Sequence, residues 1–166
     1  PTWQTNDDVW RSMIAHGYGF ATQGPPELLR TNVIWGYLVR AIPSVNGVLG
    51  YSTATFASLI AFGTALVYAV RRMGLGWPLA LALLVLILTR PVLSPQFTVN
   101  AGLLTVGGVI CACLYRHEPR IGTLVAGCIL AFLGYLVRSE EFFFVMLVAL
   151  PLLPWQTVFR DRSAKI

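Results

Sequence analysis

The N-terminal stretch of this chain carries two adjacent carboxylates, in Asn6-Asp7-Asp8, ahead of a sequence that is otherwise mostly apolar. A carboxylate can take the proton of an attacking hydroxyl, acting as general base, or it can hold a divalent metal ion. It can also do neither. Asn caps the free N–H groups at a helix start, and acids in the first turn complement the helix dipole. The residues leave both readings open. Arg90 and Arg138 are the next candidates, because each closes an apolar run. A guanidinium fork matches two oxygens of a phosphate, while a long cationic side chain at the end of a span can equally snorkel to lipid headgroups. Arg138 is followed by Glu140 and Glu141, so a local ion pair competes with the phosphate role. His16 and His117 stand far apart, the cysteines Cys111, Cys113 and Cys128 form no CxxC pair, and GxSxG, P-loop and GxGxxG patterns are missing. A zinc centre, a serine triad and a nucleotide fold therefore have no support.

The elements that must position these residues are set by composition. The 166 residues are 56% hydrophobic and 11% charged, with mean hydropathy +0.68, whereas a soluble domain is about 25% charged. Most of the chain has no use for a water-facing surface, which points to a bilayer. The net charge of +5 comes from Lys and Arg scattered between apolar blocks. No basic stripe forms, so a nucleic-acid partner is set aside. The fold class expected is all-α, a polytopic bundle of about five transmembrane helices. Runs of sufficient length cover 47–70, 73–89, 97–115, 121–137 and 142–159, the last interrupted by Pro151 and Pro154. The turns between them are short, so successive spans must be antiparallel.

Alternate ends differ in charge. Arg71, Arg72, Arg116, Arg120, Arg160, Arg162 and Lys165 collect on one side, against Arg40, Arg90 and Arg138 close to the spans on the other. The positive-inside rule assigns the first side to the cytoplasm. Residues 1–46 then form an extracytoplasmic loop, 47–159 the bundle and 160–166 a basic cytoplasmic tail. Within the loop, Val9, Trp10, Met13 and Ile14 share one face of a helix over 7–16 with Asn6 as its cap. A second helix over 26–42 sets Leu28, Leu29, Ile34, Trp35, Leu38 and Ile42 against Arg30, Asn32 and Arg40. Amphipathic helices of this kind lie along a membrane interface. Asn100, costly in a bilayer unless partnered, is expected to face the bundle interior. Gly107-Gly108 and Gly127-xxx-Ala131 offer small-residue packing surfaces. The first residues read as the middle of a loop, so sequence upstream of Pro1 is expected.

Several of these stretches together resemble the GT-C type of polytopic glycosyltransferase, in particular bacterial members with an Asn-Asp-Asp motif. The resemblance rests on Asn6-Asp7-Asp8, on the Gly24-Pro25-Pro26 break, on Leu29 to Gly36 (Leu-Arg-Thr-Asn-Val-Ile-Trp-Gly), on Gln96-Phe97-Thr98 and on Leu136-Val137-Arg138. It implies an acidic residue in the first extracytoplasmic loop serving as catalytic base or metal ligand, a position that falls on Asp7 and Asp8, with Asp8 preferred. It also implies a polyprenyl-phosphate-linked sugar donor whose phosphate is held by outer basic residues, here Arg90 and Arg138. A divalent metal ion is the one cofactor compatible with this reading, and the first span would lie upstream. The alternatives from other classes are a structural or accessory membrane subunit, in which the two acids are helix-start residues, and a transporter or flippase component. A transporter predicts charges and broken helices at mid-membrane, whereas the charges here fall at span ends.

Overall fold

Long apolar stretches bounded by Gly, Pro and Arg give this chain its helices, and the boundaries fall mostly where those breakers stand. A computed structural model describes residues 6–18, 28, 31–44 and 48–152. In chain order the helices are α1 (Asn6–His16), α2 (Val33–Ala41), α3 (Gly50–Arg72), α4 (Trp77–Leu93), α5 (Phe97–His117), α6 (Ile121–Val137) and α7 (Ser139–Ala149), followed by a 3-10 turn (Leu150–Leu152). Among the described residues there is no strand. Two helices, α3 with 23 residues and α5 with 21, are long and apolar enough to cross a membrane. At 1.5 Å per residue each exceeds the roughly 30 Å of a hydrocarbon core. The apolar helices α4 and α6 have 17 residues each. The 11 residues of α7 give way to the turn containing Pro151; the remainder of the expected fifth span, with Pro154 and the basic tail of Arg160, Arg162 and Lys165, lies outside the described residues.

The tightest seam joins α5 to α6. A Cβ added to Gly108 would lie 2.8 Å from the Gly127 carbonyl oxygen and 2.9 Å from the Ala131 Cβ, so the two backbones meet only because these residues are small. The helix α3 packs on α5, α4 packs on α3, and α7 lies against both α5 and α6. Phe62 and Leu104 are fully enclosed between them. Asn100 is buried, and its Oδ1 has no hydrogen-bond partner among the described residues. Outward, the helices present apolar side chains: Leu86 is 78% exposed and Val148 79%. Gly74, at φ +78°, reverses the chain between α3 and α4.

Three local differences from the sequence reading have physical causes. The helix α4 runs past Pro91 to Leu93, because a proline in the last turn removes one backbone bond and leaves the rest intact. The helix α2 starts only at Val33, where Asn32 caps it by accepting the Ile34 N–H at 3.0 Å; a helix over 26–42 had been expected. The orientation of α1 is the third difference. Its inner face carries Asp8, Arg11, Ser12 and Ala15, while Val9 and Trp10 of the apolar face are exposed. The same holds for α2, which buries Gly36 and Val39 and exposes Val33, Ile34, Tyr37 and Leu38. Both helices lie over one end of the bundle, where α3 and α5 begin and α6 ends: the Asn32 N–H donates to the Leu136 carbonyl at 3.0 Å. This is called the Phe97 end below, and the opposite one the Glu118 end.

Candidate functional site

The Phe97 end is built around a carboxylate. The side chain of Asp8, in the first turn of α1, is fully buried. Its Oδ1 accepts the Tyr51 hydroxyl at 2.9 Å and the Phe97 backbone N–H at 3.2 Å. Phe97 is the first residue of α5, so its N–H is one of the donors that a helix start leaves without a partner. Asp8 thereby completes the beginning of α5 from a distant segment, where Gln96 supplies no side-chain cap. One turn after Asp8, the buried guanidinium of Arg11 lies over the Phe97 ring, 3.6 Å from its centroid, and donates to the Thr31 hydroxyl. A cation this close to a ring face is attracted by the ring quadrupole, more strongly when water is excluded.

A second guanidinium approaches the same ring. Arg138 is the one residue between α6 and α7, in extended conformation at φ −160°, so the two helices leave its side chain at the end of the bundle. It donates to the Thr98 hydroxyl at 2.6 Å and to the Glu140 carboxylate at 2.9 Å, with its Cζ 5.3 Å from the Phe97 centroid. The Glu141 carboxylate lies 3.9 Å from its Nε. The local ion pair read from the sequence therefore forms. Arg90, by contrast, is exposed at the end of α4 and belongs to none of these contacts. The structure thus gathers Asp8 and Arg138 around Phe97 and leaves Arg90 outside. Asp7 belongs to α1, but its side chain lies outside the described residues.

His16 ends α1 and accepts the Tyr51 backbone N–H on its Nε2 at 3.1 Å, which caps the start of α3. Burial, and next the positive charge of Arg40, hold this imidazole below its usual pKa. The neutral form that can accept at Nε2 is the one favoured. Tyr51 is therefore gripped twice, by its hydroxyl and by its backbone, and α1 is fixed to α3 at both of its ends.

Arg11, Tyr51 and His16 were not among the sequence candidates. In the sequence Arg11 stands far from the apolar runs, Tyr51 falls inside one of them, and His16 has no ligand spacing. A signal was available for Arg11: it falls three residues after Asp8, on the same helix face. Among the described residues no three His, Cys, Asp or Glu side chains come together to hold a metal ion, and the Asp8 oxygen nearest α5 already accepts two hydrogen bonds. These residues do not fit a metal centre. The chain matches no protein-family model, no curated protein and no solved structure.

Proposed function

We propose that this chain is part of a multi-pass protein of the plasma membrane, a glycosyltransferase-like enzyme working on a polyprenyl-phosphate-linked sugar at the extracytoplasmic face, where α1 and α2 would lie. The membrane reading draws support from two helices of spanning length and from the apolar residues turned outward, since soluble monomers rarely expose contiguous apolar surface on this scale. It extends to α4, α6 and α7 as further, shorter or partly described spans, with the C-terminal tail in the cytoplasm. The exposed apolar faces of α1 and α2 suit the headgroup boundary.

The enzymatic reading is carried by one observation: a carboxylate and two guanidiniums meet around Phe97 at one end of the bundle. In sugar transfer the acceptor oxygen bonds to the anomeric carbon, the bond from that carbon to the phosphate oxygen breaks, and the acceptor's proton must leave. Asp8 is the group to receive that proton, and Arg11 and Arg138 are those to stabilise the departing phosphate. Arg138 would exchange Glu140 for the phosphate. The reading requires α1 to lift from α3, because in the closed arrangement no acceptor reaches Asp8.

That same burial favours a second reading, in which Asp8 is a tether that holds α1 on the bundle of a structural or accessory membrane subunit. Asp8→Asn separates the two. Its amide oxygen can still accept from Tyr51 and Phe97, so abundance in the membrane should be nearly unchanged. A lost general base lowers transfer by roughly 10²- to 10⁴-fold. Abundance and glycan product, measured on the same cells with the protein at full length, decide between them: an abundant variant with unchanged product removes Asp8 as the base.

A further inference from the structure

The Glu118 end holds a second cluster that sugar transfer at the Phe97 end does not use. The Glu118 carboxylate lies between two guanidiniums, paired with Arg72 of α3 and, at 2.7 Å, with Arg120 ahead of α6. One negative charge therefore faces two positive ones, and the cluster keeps an excess positive charge. The Arg72 Nε is buried and has no hydrogen-bond partner among the described residues, a donor left over after Glu118 has been used.

Directly beside this cluster an apolar groove of about 710 Å³ runs between α3 and α6, with Arg120 at its mouth. Its walls are made by small residues, including Ala61 and Ala65 on α3 and Gly122 and Ala126 on α6. From Gly122 to Leu130 the groove extends about 12 Å along the helix axis, close to the depth of one leaflet, about half of a 30 Å core. A second apolar groove, of about 600 Å³, lies between α3 and α4 with Arg71 and Trp77 at the same end. Both volumes fall within the range of roughly 300–1,000 Å³ of small-molecule sites. The two grooves share Thr64 and Tyr68, so the Tyr68 ring stands as a ridge between them, and the Arg72 Cζ is 5.9 Å from its centroid.

We propose that this end binds one anionic diacyl phospholipid, its phosphate on Arg72 and Arg120 and its two chains in the grooves on either side of Tyr68. A phosphate diester supplies the acceptor oxygens that Arg72 Nε lacks and balances the excess charge. Two chains joined at one headgroup match two apolar grooves that meet along Tyr68, one lined by Arg120 and the other by Arg71 at the same end. Glu118 then has a defined part: it competes with the phosphate for the two guanidiniums.

The inference rests on the membrane reading above, but not on sugar transfer. Its test uses the full-length protein, extracted from vesicles of equal dioleoyl-phosphatidylglycerol and dioleoyl-phosphatidylcholine, with bound lipid counted by native mass spectrometry. One phosphatidylglycerol should be retained preferentially. Arg120→Gln should weaken that preference about fivefold, the scale of one basic residue near an anionic lipid. Glu118→Gln should strengthen it, because the competitor is gone while both arginines remain. Ala126→Phe, which fills the groove from its exposed side, should lower retention with the cluster intact. Equal retention of the two lipids by the unaltered protein, or weaker phosphatidylglycerol binding in Glu118→Gln, overturns the site. Failure of the membrane reading looks different, because the protein would then leave the membranes in alkaline carbonate before any lipid is counted.

Discussion

At the Phe97 end a carboxylate is wholly enclosed, held by a tyrosine hydroxyl and a helix N–H, with a buried guanidinium stacked on the neighbouring ring. At the Glu118 end a carboxylate whose side chain is 40% exposed sits between two arginines that also reach solvent. The charges are of the same types, yet the surroundings assign them different work. A buried acceptor whose donors have no substitute is costly to remove, because each donor left unmade loses its full desolvation compensation. An exposed ion pair exchanges its partner for water at little cost. The Phe97 end therefore holds structure together, or carries chemistry that needs exclusion of water. The exposed pairs at the Glu118 end are those that can exchange partners at little cost.

The largest effect expected from this contrast is that of Asp8→Ala. It leaves the Tyr51 hydroxyl and the Phe97 N–H unpaired inside the protein, at about 3 kcal/mol for the pair. Denaturant unfolding in detergent micelles measures it, with Asp8→Asn as the control that keeps both bonds. If Asp8→Ala cost no more than removal of Glu118, the two ends would not differ in the way described.

Smaller, and dependent on pH, is the contribution of His16. Its imidazole accepts the Tyr51 N–H only when Nε2 carries no proton. Its pKa in the folded protein lies below the ordinary imidazole value of about 6.5, by burial first and by the charge of Arg40 second. The stabilisation is therefore complete above about pH 6.5 and is lost as pH falls through the lower folded value. Loss of such a cap costs about 1 kcal/mol, and protonation would also set a cation against the positive end of the α3 dipole. Unfolding followed between pH 7.5 and 4.5 should show this decline at α1, and His16→Ala should flatten it. A decline that persists in His16→Ala would assign it to other groups.

The sequence made the helices legible and their inner faces much less so. Runs of apolar residues ending in Arg71-Arg72, Arg116 and Arg138 located α3, α5 and α6 to within a few residues, because the charges interrupt the apolar pattern where each helix ends. The burial of Asn100 and the Gly108–Gly127 seam were also readable, one from a lone amide inside an apolar run and the other from small residues that let two backbones approach. The orientation of α1 was not. Periodicity shows which residues share a face, and in water the apolar face turns inward. Here the surface beneath α1 is the end of a helix bundle, where helix starts expose N–H donors and Tyr51 offers a hydroxyl, so the polar face of Asp8 and Arg11 is the complementary one. The start of α2 was misplaced for a similar reason: Asn32 was counted on a polar face, while its side chain was needed as a cap. The acids Glu140 and Glu141 marked Arg138 off from Arg90 as one half of a local ion pair, but nothing in the sequence placed it at a site. The separation arises only when α6 and α7 bring Arg138 beside Phe97.

The smallest effect expected is that of Glu118→Ala on stability, and its smallness is the point of the comparison. Both arginine partners remain partly exposed, Arg72 with 28% and Arg120 with 56% of the side chain accessible. Their guanidiniums can turn to water, so the pair contributes at most about 1 kcal/mol. That contribution should shrink further in high salt, which screens exposed pairs much more than enclosed ones. The same unfolding measurement, repeated at 0.05 and about 0.5 M salt, should bring Glu118→Ala close to the unaltered protein while the deficit of Asp8→Ala persists. A salt-insensitive loss at Glu118 comparable to that at Asp8 would make the Glu118 cluster a second structural tether. Arg72 and Arg120 would then be too firmly committed to their carboxylate to accept a phosphate in its place.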